Sequence, residues 1–568
     1  MFFYKKKNWI HITIHIFLIA IICFSALWGI RRNTTITIIA DEYAYWLPAA
    51  WLNGKDWSDS VISFSYYGYG YGFFILSIIM KLFHDAQTMY QAALVVNVIM
   101  LIGSYFLAYK CWLKLINKNE YQAAIGSFVV ITYSSNIFYA KMTLAETLLS
   151  FLFWIVVYLS IFIEYSRSRE ILFSIVLTVL LASHNRAIGI VLSFILSFII
   201  CWRKTGYWKK KLIFLISIII GLILWYVGKK YFQNVLFCNV PDIEMANAGM
   251  EGQVSKVKSL INTDGLYRLL ISFLGKSFYT LVSSFLIAGY GFVYLTKKII
   301  SYIRLRTWTS VFPYLFVLLS FMAALGIASI YFAYYEDRAD LLMYGRYHSC
   351  FLGPILLFGI AELLVQEDNK KETGYIIFIT IILSMITSKY NPYNQSLTNM
   401  GVNCVGIADL CYKYGFDMKA IFIALLRASF LCVVLCVLKS GKAFRIAKVY
   451  CWLGIICVWW IYIALYDANE RLYQWTEEVL ASNFVLLDEI EEKSGTIDTL
   501  YLFQLKGNSS IVYLQFLRPD AKLIYLEDRK EIEFLKLGTV VISDRDSVDL
   551  VDQYEMITHN YFFNVWEK

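Results

Sequence analysis

Runs of apolar residues, each close to the roughly 20 that carry a helix across a bilayer, recur along the chain from Trp9 to Tyr466. The first, Trp9 to Ile30, follows Lys5-Lys6-Lys7. Basic residues stay on the cytoplasmic side, so the chain is expected to emerge on the outer face at Asp41 and Glu42. The next stretch of about 45 residues does not cross cleanly. Within it 43–57 reads as amphipathic and 71–83 as apolar but short, so both are placed in the outer leaflet as interfacial helices. Further crossings are expected over 89–112, 121–138, 148–163, 171–183, 188–201, 212–227, 269–295, 310–331, 351–364, 375–387, 419–438 and 452–466, about 13 in all. This weave puts Lys110 to Lys118, Arg167 and Arg169, Lys209-Lys210-Lys211, Lys297-Lys298, Lys370-Lys371 and Lys439 to Lys448 inside. It puts Lys141 and Glu146, His184-Asn185-Arg186, Glu336-Asp337-Arg338, Gly345-Arg346-Tyr347-His348 and Asn391-Pro392-Tyr393 outside. An external loop of about 35 residues, of a length usually functional or mobile, carries Cys238, Asp242, Glu244, Glu251 and Asp264.

From about Asp467 the pattern changes. Residues 470–493 read as a charged helix, and 499–505, 522–526 and 538–542 as short buried strands with helical pieces between them, an alternation that suggests a small α/β domain. With an odd number of crossings it lies outside. The expected architecture is a polytopic α-helical membrane domain, 1–466, and an extracytoplasmic α/β domain, 467–568.

Composition sharpens this. The 568 residues are 59% hydrophobic with a mean hydropathy of +0.58, which excludes a soluble globular domain. The first span is long for a signal peptide and no Ala-x-Ala-type site follows it, so it reads as a retained anchor. The net charge of +9 hides an asymmetry: 20 acids and 10 bases lie from Asp467 onward, leaving the membrane part strongly basic. Those bases sit in short loops, with no interleaved stacking aromatics that would mark a nucleic-acid surface. Most of the 11 cysteines fall inside apolar spans. Cys404 and Cys411 fall in an external loop, where a disulfide and free thiols are both open.

Candidate chemistry begins with the acids. An acidic pair at the membrane surface is a functional-site hypothesis, set against an ordinary solvated loop start. Around it stand Tyr43, Tyr45, Ala49-Ala50 and Gly54-Lys55-Asp56-Trp57. This stretch resembles the first external loop of class C glycosyltransferases (GT-C), membrane enzymes that use polyprenyl-phosphate sugars. The likeness is to the superfamily of the bacterial aminoarabinose transferases and the protein mannosyltransferases. In the former branch an Asp-Glu pair is followed by a Tyr, an Ala and a Gly-Asp-Trp, matched here by Asp41, Glu42, Tyr45, Ala50 and Gly54 to Trp57 with one inserted residue.

The resemblance implies roles. Asp41 is the expected base for an acceptor hydroxyl, and Glu42 would orient it or help hold a divalent cation (Mg or Mn), together with Asp41 or Glu146. Glu146 takes the place of the family's second carboxylate; alone it reads equally as a helix N-terminal acid. Arg346 and Tyr347 resemble an Arg-Tyr placed near the donor, whose leaving phosphate needs cations. Arg186, Arg338 and Lys141 are further cation candidates, with snorkelling or surface pairing as the alternative for each. His184 and His348 read as packing residues. The family's Lys-Pro-Pro-Leu element is absent; Tyr66-Tyr67-Gly68-Tyr69-Gly70-Tyr71-Gly72 stands instead. Tyr69 and its neighbours could face a sugar or form an interfacial belt. The implied activity is inverting transfer of a sugar from a polyprenyl-phosphate donor to an extracytoplasmic glycan, glycolipid or wall polymer. The alternatives are a transporter or flippase of lipid-linked saccharides and a membrane scaffold.

Overall fold

A computed structural model describes residues 2–37, 39–61, 67–162, 167–205, 211–239, 250–335, 338–366, 369–391, 400–415, 417–440, 445–495, 497–546 and 554–568. Tyr66, Asp242, Glu244, Glu336, Asp337, Pro392 and Tyr393 lie outside the described residues. The protein is a helical multi-pass bundle with a small terminal sheet, as the apolar pattern predicts. Among the described residues eight helices are long and apolar enough to cross a membrane, or up to ten if each of two bent pairs counts as one span.

The difference from about 13 lies in short helices. Glu120–Ile131, Glu146–Ser160, Arg167–Ser183 and Gly353–Val365 are each below full bilayer length. The span expected over 269–295 is two helices, Thr263–Ser283 and Ile287–Arg304, meeting at 105°. Phe285 and Leu286 turn that corner with φ of 48° and 65°, a left-handed conformation that costs a non-glycine residue about 1–2 kcal/mol. Ala339–Ser349 and Gly353–Val365 meet at 81°, leaving Arg346 just before the bend. Such irregular backbone survives in a membrane bundle only where protein or a cavity surrounds it. The acids' own stretch is also helical: Ile39–Leu52 carries Asp41 and Glu42 in its first turn, and the short apolar element is Gly72–Leu82. Cys404 and Cys411 are buried free thiols.

The expected boundary at 467 falls inside one continuous helical run, Arg445–Lys493. Composition changes there but the backbone does not. Beyond it come β1 (Thr499–Phe503), β2 (Lys522–Leu526), β3 (Val540–Asp544), β4 (Glu555–His559) and β5 (Phe563–Glu567), in the order β2-β1-β3-β5-β4. The first three are parallel and match the three expected strands; β4 and β5 form an antiparallel hairpin. Side chains alternate across a sheet. Leu500, Leu502, Leu523 and Ile542 therefore join the core of the helical bundle. Phe503, Leu526 and Val541 face the other way, under the helix Arg529–Glu533. The terminal domain is thus packed onto the bundle through one sheet face and the helix Ile511–Leu517, which is buried throughout.

Candidate active site

Asp41 and Glu42 are neighbours on a helix, so their side chains diverge by about 100°. Glu42 points into the protein and is fully buried. Its Oε1 accepts from the Thr37 N–H at 2.8 Å and the Thr37 hydroxyl at 2.9 Å. Its Oε2 accepts from the Tyr90 hydroxyl at 2.8 Å, the Thr143 N–H at 2.8 Å and the Thr143 hydroxyl at 2.7 Å. A buried carboxylate persists only when satisfied in this way. Glu42 therefore ties three pieces of chain together: the lead-in to its own helix, the helix Ala86–Leu115 and the loop before Glu146.

Asp41 points the other way. Its Oδ2 pairs with Arg346 Nη1, and Arg346 Nε donates to Glu146 Oε1 at 2.8 Å. Arg186 Nη2 donates to the same oxygen at 3.0 Å. One guanidinium thus bridges two acids from distant parts of the chain, and a second backs it. Glu146, Arg186 and Arg346 are at most 4% exposed, Asp41 15%. The Arg186 guanidinium lies 4.6 Å over the Tyr347 ring. Around this cluster several buried polar atoms have no hydrogen-bond partner within the protein: Arg186 Nε and Nη1, Glu146 Oε2, His184 Nε2 and the Tyr45 hydroxyl.

The Tyr-Gly run divides. Tyr67 stacks on His184 with ring centroids 5.1 Å apart, and its carbonyl accepts from the Asn185 N–H at 2.8 Å. Tyr69 stacks on Phe232 instead, 5.1 Å away. The glycines that follow each of them permit this approach: a Cβ on Gly68 would lie 2.5 Å from the Ala182 carbonyl oxygen, and one on Gly70 2.6 Å from Ser183 Oγ. Only a residue without a side chain fits such contacts. Tyr67 stands in the run expected to face a sugar or form an interfacial belt, and His184, expected to be a packing residue, packs on its ring.

Two expected cations sit elsewhere. Lys141 Nζ donates to the carbonyls of Ser25, Ala26 and Trp28 at 2.8–2.9 Å, closing the carboxyl end of the helix Phe2–Leu27, a position that favours a cation. Arg338 forms a two-pronged pair with Asp340 at 3.1 and 2.6 Å. His348 bonds Thr280 at 3.0 Å.

A cation unmarked in the sequence is Lys256, on the helix Met250–Ser259. It lines a cavity of about 130 Å³ with Arg186, Asn185, Ile188, Ile327 and Tyr331, its ammonium 5.2 Å from the centre of the Tyr331 ring. Burial lowers the Lys256 pKa from the ordinary lysine value. A larger cavity of about 340 Å³, in the elbow between Thr263–Ser283 and Ile287–Arg304, is almost wholly apolar. The charge lies in the smaller one.

The Gly54-Lys55-Asp56-Trp57 run meets the terminal domain. Lys55 pairs with Asp520, the Trp57 indole N–H donates to the Pro519 carbonyl at 3.0 Å, and the Tyr525 hydroxyl donates to the Asp59 carbonyl at 2.9 Å.

No protein family and no curated protein matches the chain by sequence. Its backbone does match solved structures. The crystal structure of ArnT from Cupriavidus metallidurans in the apo state superposes with a TM-score of 0.54 at 11% identity, covering 99% of this chain and 98% of that one. The chain shares the ArnT fold. The structure of ArnT from the same organism bound to undecaprenyl phosphate matches with a TM-score of 0.52, again at 11% identity, over 97% of each chain. The likeness to ArnT runs through both the helical bundle and the terminal domain.

Among the described residues no three His, Cys, Asp or Glu side chains are grouped to hold a metal. Glu42, the expected partner of a cation, already has both oxygens taken by donors, five of them among the described contacts. Guanidinium groups stand against Asp41 and Glu146. These residues do not fit a resident divalent ion.

Proposed function

We propose that the chain is an inverting glycosyltransferase of the class C type. It takes a sugar from a polyprenyl-phosphate carrier and joins it to an extracytoplasmic glycan, glycolipid or wall polymer. The observation that carries this reading is the Arg346 bridge between Asp41 and Glu146. Such transfer needs a base to take the acceptor's proton and fixed cations for the departing phosphate. The cluster supplies both, and the fold shared with ArnT, solved with undecaprenyl phosphate, supports a polyprenyl phosphate as the carrier.

Asp41 is the most exposed of the three acids and acts as the base. The acceptor hydroxyl gives it a proton while the acceptor oxygen bonds to the anomeric carbon. The bond from that carbon to the phosphate oxygen breaks, and its electron pair leaves with the lipid phosphate. Attack opposite the leaving group inverts the centre. Arg346 and the unpartnered Nε and Nη1 of Arg186 take the phosphate's charge. Lys256, which lines a cavity with Arg186, supplies a cation where the family's Lys-Pro-Pro-Leu element is missing. Glu146 holds the two guanidinium groups in register, and Tyr45 and Tyr67 offer a hydroxyl and a ring to the sugar. No step runs through a metal. Lys5-Lys6-Lys7 before the first span supports a cytoplasmic amino terminus and a site on the outer side.

The test is transfer by the purified full-length protein, given polyprenyl-phosphate sugars and envelope glycans. Asp41→Asn is expected to slow transfer about 10²–10⁴-fold. Wild-type rates in that variant would overturn the assignment. Movement of an intact lipid-linked saccharide across a vesicle membrane, with no new glycosidic bond, would make the protein a flippase.

A further inference from the structure

One side chain of the terminal domain, Phe516, packs against the residues that hold Glu42. Phe516 lies on the buried helix Ile511–Leu517 and is itself fully buried. Its ring meets Trp46 edge-to-face at 5.5 Å, Tyr90 at 6.2 Å and Trp57 at 6.4 Å. Two of these three rings lead to Glu42. The Tyr90 hydroxyl donates to Glu42 directly. The Trp46 indole N–H donates to the Thr143 hydroxyl at 3.1 Å, and that hydroxyl donates to Glu42. Trp57, the third, stacks flat on Tyr43, one residue past Glu42, with centroids 5.1 Å apart.

Each of these three rings therefore bears on the position of something that carries an acid. Trp46 and Tyr43 are on the Asp41 helix. Thr143 is three residues before Glu146. Tyr90 holds the Glu42 knot that fixes one relative to the other. Edge-to-face aromatic packing is directional, so the ring sets angles as well as filling space. The docking bonds at Lys55, Trp57 and Asp59 hold the domain where the ring can do this.

We infer that Phe516 is a positioning residue for the Asp41–Glu146 pair, so that the terminal domain completes the site rather than merely adjoining it. This rests on the glycosyltransferase reading above. The ring contacts of Phe516 run to the residues around Glu42, while Arg186 and Lys256 meet at a cavity built from other elements, so losing the ring costs far more in transfer rate than in grip on lipid phosphate.

The experiment is a series at one position in the full-length protein: Phe516→Leu, Phe516→Val and Phe516→Ala. Two quantities are read, kcat for sugar transfer and the Kd for undecaprenyl phosphate. Displacing reacting groups by about 1 Å costs on the order of 100-fold, so Phe516→Ala is expected to lose about 10–100-fold in kcat. Valine and leucine should recover the rate in order of size, while Kd stays within about threefold throughout. If the alanine variant does not fold, the order leucine above valine decides. A kcat that ignores the series overturns the inference. So does a kcat that falls in step with phosphate affinity, because that is general loosening. A wild-type protein that transfers no sugar refutes the glycosyltransferase reading itself, which separates the two failures.

Discussion

Glu42→Gln separates holding from chemistry. Among the described contacts the carboxylate takes at least five donors on its two oxygens, two on Oε1 and three on Oε2. An amide has one oxygen and one NH₂. Whichever way it lies, the NH₂ faces a backbone N–H that cannot turn aside, from Thr37 or from Thr143; the hydroxyls can rotate. One buried N–H left unpaired costs about 1–3 kcal/mol. The bonds to the remaining oxygen fall from charge-assisted to neutral strength, roughly halving each. Together these give about 3–5 kcal/mol. Asp41→Asn loses only the Asp41 half of the Arg346 bridge, and Arg346 keeps Glu146. The assay is paired: melting in detergent, followed by intrinsic fluorescence, and transfer rate well below the melting point. Glu42→Gln should melt far below wild type. Asp41→Asn should melt close to wild type with transfer nearly abolished. A Glu42→Gln protein that melts like Asp41→Asn but transfers nothing would refute the division, and make Glu42 a chemical participant.

Three further outcomes follow from the same geometry. Arg346→Lys keeps the charge but loses the planar fork that spans Asp41 and Glu146; kcat should fall about 10²–10³-fold, and an unchanged kcat would sink the bridge. Lys141→Met removes the donor to three carbonyls at a helix end, so melting should drop by the equivalent of about 1–3 kcal/mol while the Kd for undecaprenyl phosphate holds; a weakened Kd would return Lys141 to the site. Lys256 has its pKa lowered by burial, so it is a cation at low pH and loses that charge as pH rises, earlier than an ordinary lysine. Undecaprenyl phosphate affinity should decline on that alkaline limb in wild type and stay flat in Lys256→Arg; identical profiles would exclude Lys256 from the phosphate.

The layout of helices was legible because burial in lipid leaves long apolar runs and charged ends. Which polar residues share one end of the bundle was legible for the same reason. What was not legible is which of them touch. Arg346 stood ahead by resemblance, while Lys141, Arg186 and Arg338 read as equals along the chain, yet one caps a helix, one pairs with its neighbour and only Arg186 joins Arg346 at Glu146. The deciding contacts join residues 305 and 200 positions apart, beyond any local pattern. Lys256 was hidden because its helix is short and polar, with no apolar period. The β4–β5 hairpin was hidden because five-residue strands ending in Glu and His carry little alternation.

The acids themselves show where a stricter reading was available. Taken as a loop, Asp41-Glu42 looks like one two-carboxylate site. Taken as the first turn of a helix, it cannot be: neighbours at i and i+1 do not face each other, and about 100° separates them. One acid must then turn toward solvent or substrate and the other toward protein. The structure shows which. From Glu42 to Ala50 the helix is buried on every side, so it is the partners that differ. Glu42 lies one helical turn before Trp46, and both meet Thr143, where a ring of donors makes a buried carboxylate tolerable. Asp41 lies one turn before Tyr45, the residue whose hydroxyl is left unpartnered beside Glu146 and the two arginines. The side of the helix that carries the chemistry is therefore Asp41 and Tyr45, and the side that holds the fold is Glu42 and Trp46.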